Sequence, residues 1–182
     1  MIRTVEDVDW ANWVPRERAT LLFAIRDERV LLILKKRGFG KGKINAPGGK
    51  IEPGETPMEC AVRETREEVL IDPKGVRPAG ELRFAFSDGH SIHGFVFVAS
   101  AFEGEPGETE EAVPLWFALE EIPFDRMWED DATWIPEMLA GRPFSGRYVF
   151  SGDRMLDWVL TDDHAAFSDA WRAERLGPIP GA

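Results

Sequence analysis

The chain has 182 residues, a formal net charge of −11 and a single cysteine, Cys60. Its length suits one domain with a substantial core, and 43% hydrophobic against 30% charged residues is the balance of a folded globular chain. The acidity excludes sequence-independent binding to a nucleic-acid polymer, no apolar run is long enough to span a membrane, and one thiol excludes an internal disulfide, which fits a cytoplasmic setting.

Residues 1–17 read as an appendage; Trp10, Trp13 and Pro15 follow no period, and no basic-then-apolar leader opens the chain. The two tryptophans are expected to pack on the main body. Thr20 to Ile25 is an apolar run that suits a buried strand, Arg26-Asp27-Glu28 a tight turn, and Val30 to Leu34 the returning strand of a hairpin. Arg37 to Lys43 forms a glycine-rich basic loop, and Pro47-Gly48-Gly49 breaks the chain again.

A helix should follow. Thr56 can cap it, Pro57 suits its first position and Glu59 completes a capping box. Met58, Ala61, Val62, Thr65 and Val69 share one face, which should meet a sheet. Glu64 and Glu68 lie one turn apart with Glu67 beside them, so three carboxylates are expected along one solvent-facing edge. Like charges at that spacing repel by a few tenths of a kcal/mol, roughly. Arg63 relieves chiefly Glu67, and a divalent cation with its preference for oxygen would relieve the rest. A solvated acidic face is the competing reading.

Further on, Glu81 to Phe86 and His93 to Phe102 suit strands around the turn Ser87-Asp88-Gly89, with Leu115 to Phe117 a short strand. His90 and His93 read as ordinary surface residues. Ile122-Pro123 opens a loop carrying Trp128-Glu129-Asp130-Asp131, Trp134 to Ala140 a short helix, and Arg147 to Phe150 with Met155 to Leu160 a last hairpin. Asp163 to Arg175 is expected to be a C-terminal helix ended by Gly177-Pro178. The mixture predicts an α+β or α/β class, divided as an extension (1–17), a main domain (18–160) and a C-terminal extension (161–182).

Gly49, Glu55, Arg63, Glu64, Glu67, Glu68 and Ile71 stand at the spacing G-x5-E-x7-R-E-U-x-E-E-x-G-U, where U is a bulky aliphatic residue. The segment resembles the Nudix box. Thr65 departs at an aliphatic position, where its hydroxyl can bond the preceding turn. Leu70 departs at the second glycine, a position that often takes the left-handed conformation; the helix end is therefore expected to move toward Asp72-Pro73. The resemblance implies a mixed β-sheet flanked by helices as an α/β/α sandwich. It also implies magnesium, with manganese as a substitute, held by Glu64, Glu67, Glu68 and the Gly48 carbonyl, one glutamate accepting a proton from water and Arg63 orienting Glu67.

The flanks narrow the resemblance. Lys35-Lys36-Arg37-Gly38-Phe39-Gly40, Asn45, Phe84-x-Phe86 and Trp128-Glu129-Asp130-Asp131-x-x-Trp134-x-Pro136 are similar to the MutT-homologue branch of oxidised purine nucleoside triphosphatases, from about Thr20 to Leu160. This implies hydrolysis of an 8-oxo-dGTP-like nucleotide to the monophosphate and pyrophosphate. Asn45, Asp130 and Asp131 would read the purine edge, Trp128 and Phe39 would enclose the ring, Thr20 and Lys35 would support the sugar-phosphate end, and Gly48, Gly49, Lys50 and Phe84 would also contact substrate. Glu111 would be an additional metal ligand. Asp130-Asp131 also suits a helix cap, and Trp128 and Phe39 suit a core. The implied partner is a small nucleotide, with no membrane and a monomeric or dimeric state. Other Nudix reactions remain as alternatives, on dinucleoside polyphosphates, nucleotide sugars or capped RNA, as does a non-catalytic nucleotide sensor.

Overall fold

A computed structural model describes residues 2–163, 166–169, 171 and 172. One mixed sheet organises them. Strands β1 (Glu17–Arg26) and β2 (Arg29–Lys35) form the expected hairpin, with Asp27 and Glu28 both at positive φ (52° and 57°), the geometry of a two-residue turn. Then come β3 (Ile44–Asn45), helix α1 (Pro57–Val69), β4 (Asp72–Phe86), β5 (Ser91–Glu103), β6 (Ala112–Ala118), helix α2 (Asp131–Leu139), β7 (Phe144–Ser151) and β8 (Arg154–Thr161). The strand order is β3-β2-β1-β5-β4-β7-β8, with β6 also pairing β2. β1 runs parallel to β5 and β4 parallel to β7; the other pairings are antiparallel.

Alternation along β1 and β2 divides the core. Phe23, Val30 and Leu32 face α2, where Trp134, Ile135 and Met138 are buried. Leu22, Leu31 and Ile33 face α1 through Ala61 and Val69. One helix on each face of the sheet gives the predicted sandwich. No described helix is long and apolar enough to cross a membrane.

The hairpin pairs only near its turn, from Ala24↔Leu31 to Arg26↔Arg29. Beyond it β1 and β2 splay, and residues 44–51 fill the gap. β3 pairs β2, while Leu22 and Thr20 donate to the Pro47 and Gly49 carbonyls at 2.9 Å each. A Cβ on Gly48 would stand 1.9 Å from the Thr20 carbonyl oxygen, so the wedge requires glycine.

β4 is far longer than expected. Its first half, Asp72 to Gly80, carries two prolines and two glycines, residues that disfavour a strand locally, yet it pairs with β5 through a register shift between Pro78 and Gly80. Local breakers are tolerated at such an irregularity, and Gly80 there admits the Phe144 ring, whose Cε2 would lie 2.5 Å from an added Cβ.

α1 also departs from expectation. It does not run toward Asp72-Pro73 but stops at Val69, with Leu70 at φ 63°, ψ 23°, its N–H on the Arg66 carbonyl. Leucine thus takes the left-handed cap itself. Asp72 and Pro73 already belong to β4, so no residues are left for another turn. The capping box forms as read: the Glu59 N–H donates to Thr56 Oγ1 at 3.2 Å and the Thr56 N–H to Glu59 Oε2 at 2.9 Å. Thr65 Oγ1 donates to the Ala61 carbonyl at 2.7 Å.

The appendage packs on the sheet. The Val5 N–H donates to Asp157 Oδ2 at 2.8 Å, Trp10 lies 5.7 Å from the Arg147 guanidinium, and Trp13 packs edge-on against His93. His93 is a correction: it is buried, with Nε2 2.8 Å from Glu81 Oε2. Glu81 is fully buried too and also accepts from Arg83, Ser145 and both donors of Ser168. Such a charge persists only with this many donors. The C-terminal helix expected over Asp163–Arg175 lies partly outside the described residues; Phe167 and Trp171 are buried in the core on the α1 side.

Candidate active site

The splay between β1 and β2 opens a cavity of about 240 Å³. Its floor is Leu82, Phe84 and Phe86 of β4 with Ile92, Gly94 and Val96 of β5, which alternation places on one face. Thr20 and Lys35 stand at one end with Gly48, Gly49 and Lys50, and Asn45, Trp128, Asp130 and Asp131 stand at the other. Thus every predicted substrate-side residue reaches one space, although their sequence positions span more than half the chain.

At the first end α1 meets the glycine wedge. Glu68 is buried, not solvent-facing as expected: its Oε2 accepts from the Gly48 N–H at 2.9 Å and its Oε1 lies 3.4 Å from Lys35 Nζ. Burial pushes its carboxyl upward, opposed by Lys35 and the Gly48 amide. Glu64 is also raised by burial, opposed by Arg63. Only Glu67, 58% exposed, points to solvent. The buried stripe of the helix therefore runs through Cys60, Glu68 and Val69, turned away from Met58 and Val62, because the glycines remove the side chains that would otherwise hold the carboxylates off.

Arg63 is corrected as well. Its principal partner is Glu55, bonded at 2.8 and 3.0 Å, then Glu64 at 2.7 Å, with Glu67 more distant at 3.3 Å. The bidentate pairing holds the Glu55 carboxyl down at about 2. Glu55 stands in the motif and was legible there, but its duty as the anchor of Arg63 was not. Cys60 is buried against this cluster and accepts from the Thr20 hydroxyl at 3.4 Å; burial, partly opposed by that bond, pushes its thiol up to about 11.

Among the described residues no three acidic, imidazole or thiol groups are drawn together as a ready cage for an ion, since Arg63 holds Glu64 and Glu67 while Lys35 holds Glu68. The donor set nevertheless fits a hard cation. Two half-buried or buried carboxylates with raised affinity for protons sit one helical turn apart, and a cation would substitute for those protons. Glu111 lies outside the cavity wall, its carboxylate paired with Arg37.

At the other end Asp130 and Asp131 are both buried, at 3% and 2% exposure. Asp130 Oδ2 accepts from the Trp134 indole N–H at 3.0 Å and Asp131 Oδ2 from the Trp128 N–H at 3.1 Å. Asp130 occupies the N-cap position of α2 without a side-chain cap bond, so helix capping does not account for the pair. Burial pushes both carboxyls upward, and the charge of Asp130 adds to the effect on Asp131. Phe39 stacks on Trp128 with ring centroids 4.9 Å apart and planes at 15°. They therefore make one aromatic wall, not the two jaws expected from sequence. Asn45 Oδ1 accepts from the Ala46 N–H at 2.8 Å, and Phe84 stacks on Tyr148. Sequence reading missed Glu17, which lines the rim and holds Lys50 at 2.7 Å, and Lys43, whose Nζ lies 4.7 Å from the Trp128 ring centroid.

A model of the NUDIX domain matches residues 15–138. The chain belongs to the Nudix family. β7 and β8 extend the same sheet beyond the matched residues. The chain is 41% identical over 136 residues to the oxidized purine nucleoside triphosphate hydrolase of Danio rerio, covering 73% of this chain and 86% of that one. It is 37% identical over 145 residues to the protein of the same name from Mus musculus, covering 79% and 93%. The crystal structure of a MutT protein from Bacillus halodurans superposes with a TM-score of 0.71 at 27% identity, covering 81% of this chain and 99% of the other. Like other Nudix hydrolases, the chain is an enzyme of nucleotide pyrophosphate bonds that works with a divalent cation.

Proposed function

We propose that this Nudix hydrolase cleaves an oxidised purine nucleoside triphosphate, of the 8-oxo-dGTP kind, to the monophosphate and pyrophosphate. One observation carries the reading: a single cavity is lined at one end by two buried carboxyls beside an aromatic wall and at the other by Lys35 and the glycine wedge, against which the α1 carboxylates Glu64 and Glu68 pack. A ligand for that space has a flat apolar body with a polar edge and a polyanionic tail. Base stacking on the Trp128 side is worth about 1–3 kcal/mol. The protonated member of the aspartate pair donates to the base edge and its ionised neighbour accepts, with Asn45 supplying both kinds of group. The names of the vertebrate relatives, both oxidized purine nucleoside triphosphate hydrolases, support this assignment.

Magnesium is the cation proposed, held by Glu64, Glu67, Glu68 and the Gly48 carbonyl, with Glu111 joining on release of Arg37. When bound, it neutralises the polyphosphate and makes water more acidic. Lys35 and Lys50 hold phosphate oxygens once they leave Glu68 and Glu17. Arg63, clamped by Glu55, holds Glu64 beside Gly49 of the cavity wall, and one cluster glutamate takes the proton of the attacking water. Residues 18–160 form the functional domain, monomeric or dimeric.

The test is turnover in 18O-labelled water with magnesium, scored on oxidised and intact purine triphosphates. Preference for the oxidised forms, loss of activity in excess chelator or after joint conversion of Glu67 and Glu68 to Gln, and a changed preference in Asp131→Asn support it. Activity confined to intact triphosphates, or full activity in chelator, overturns it.

A further inference from the structure

Two of the carboxylates assigned to the cation sit on different segments, Glu68 near the end of α1 and Glu111 just ahead of β6. A single hydroxyl group joins their backbones. Thr109 Oγ1 donates to the Glu68 carbonyl at 3.0 Å and accepts from the Glu111 N–H at 3.2 Å. It also accepts from the Ala112 N–H at 3.2 Å, while the Thr109 N–H donates to the Ala112 carbonyl at 3.0 Å, which closes the turn leading into β6.

The same segment finishes the helix. The last carbonyls of a helix have no partner within it. In α1 the Leu70 N–H takes the Arg66 carbonyl, but those of Glu68 and Val69 accept from outside, from Thr109 Oγ1 and from the Gly107 N–H, each at 3.0 Å. Leu70, which stands where the motif has glycine, rests on this segment too: a Cβ on Gly107 would lie 3.0 Å from its Cδ1. From the other side Lys36 holds the segment in place. Its N–H donates to the Glu111 carbonyl at 2.8 Å, and its Nζ to the Thr109 carbonyl at 2.7 Å and to Glu108 Oε1 at 2.9 Å. The Glu111 side chain is half-exposed and engaged by Arg37, so it can exchange that partner for an ion while its backbone stays fixed.

We propose that Thr109 is a positioning residue for the cation site: its hydroxyl caps α1 from outside and fixes the backbones of Glu68 and Glu111 relative to each other, so that both carboxylates can turn to one ion. This rests on the reading above that both carboxylates hold the cation. A hydroxyl suits the task because one oxygen can donate once and accept twice. Valine has the same shape and can do neither. Groups that orient the ligands of a metal site are worth about 10- to 100-fold in affinity or activity.

The experiment compares Thr109→Val, Thr109→Ser, Glu68→Gln and Glu111→Gln with the unsubstituted protein. Binding of Mn2+ to the full chain without nucleotide is measured by electron paramagnetic resonance of the free ion, and kcat and KM for 8-oxo-dGTP are measured at saturating magnesium. Thr109→Val should weaken Mn2+ binding about tenfold and lower kcat about tenfold, with KM within about twofold because the base end of the cavity is untouched. Thr109→Ser, which keeps the hydroxyl, should restore both. If the valine variant does not fold, Thr109→Ala carries the same readouts. Unchanged Mn2+ binding in the variant without the hydroxyl, while both glutamine variants lose affinity, overturns the inference alone. So does a serine variant as impaired as the valine one. If either glutamine variant binds Mn2+ as well as the unsubstituted protein, the assignment of that carboxylate fails and the inference with it. A protein that turns over no oxidised purine while Mn2+ binding follows the stated pattern sinks the substrate assignment and leaves the role of Thr109 standing.

Discussion

Adjacent glycines in the wedge should respond very differently to the same added methyl group. At Gly49 a Cβ would stand 2.4 Å from Glu64 Cδ and 2.5 and 2.6 Å from its two oxygens. Contacts of that kind are normally about 1 Å longer, so the carboxylate must retreat by about that much, and a displacement of about 1 Å at a reacting group costs on the order of 100-fold in rate. The obstruction is the end of a rotatable side chain, so the fold can yield at small cost. Gly49→Ala should therefore lower kcat/KM about 100-fold with Tm lowered by only about 2–4 °C, the equivalent of roughly 1 kcal/mol for a chain of this size. At Gly48 the Cβ would instead meet the Thr20 carbonyl oxygen at 1.9 Å and the Leu21 Cα at 3.0 Å, both backbone. The wedge would have to leave β1, taking with it the bonds from Thr20 and Leu22, and Gly48→Ala should fail to reach a stable fold. Steady-state kinetics with thermal melts of both variants read the outcome. A Gly49→Ala enzyme with kcat/KM within twofold of the unsubstituted one, or a Gly48→Ala chain as stable as it, would refute the reasoning that glycine is required here for carboxylate and backbone approach.

Two predictions concern the body of the fold. Burial raises the Glu81 carboxyl, but His93, Ser168 and Arg83 outweigh it and hold it at about 2. A depressed carboxyl contributes stability above its unfolded value and loses it as pH falls, so about 3 kcal/mol should vanish between about pH 4.5 and pH 2. Glu81→Gln should lower stability at neutral pH by a similar amount and flatten that acid dependence in urea titrations; an unchanged slope would argue against the buried hub. Leu70→Gly should relieve a left-handed leucine that is 57% exposed. A gain of about 0.5–1 kcal/mol is expected, net of the entropy lost by glycine, and a destabilised variant would show that the Leu70 side chain against Gly107 outweighs the backbone strain.

Much of this protein is written locally. The cap at Thr56, the back-bonding Thr65, the hairpin turn at Asp27-Glu28 and the apolar strands follow from residues within one or two turns of each other, where backbone geometry and short-range hydrogen bonds decide. The carboxylate spacing on α1 and its glycine partner are of the same kind, so the chemistry was legible. The helix end was misjudged because its determinant is not local: β4 claims Asp72 and Pro73 by pairing with β5, and Leu70 must turn sharply to let it. The first half of β4 was hidden for a related reason, its prolines and glycines being tolerated only beside a neighbouring strand and the Phe144 ring.

Sequence alone determined which residue types could bind a cation and a base, because side-chain chemistry and helical spacing belong to the chain itself. Tertiary structure decided which of those groups are buried and what each one holds: Glu68 under the Gly48 amide, Arg63 on Glu55, Phe39 flat against Trp128, and His93 on Glu81. Those outcomes depend on distances between segments far apart in the chain. Proton affinity, charge pairing and ring stacking all depend on such distances, and no local pattern encodes them.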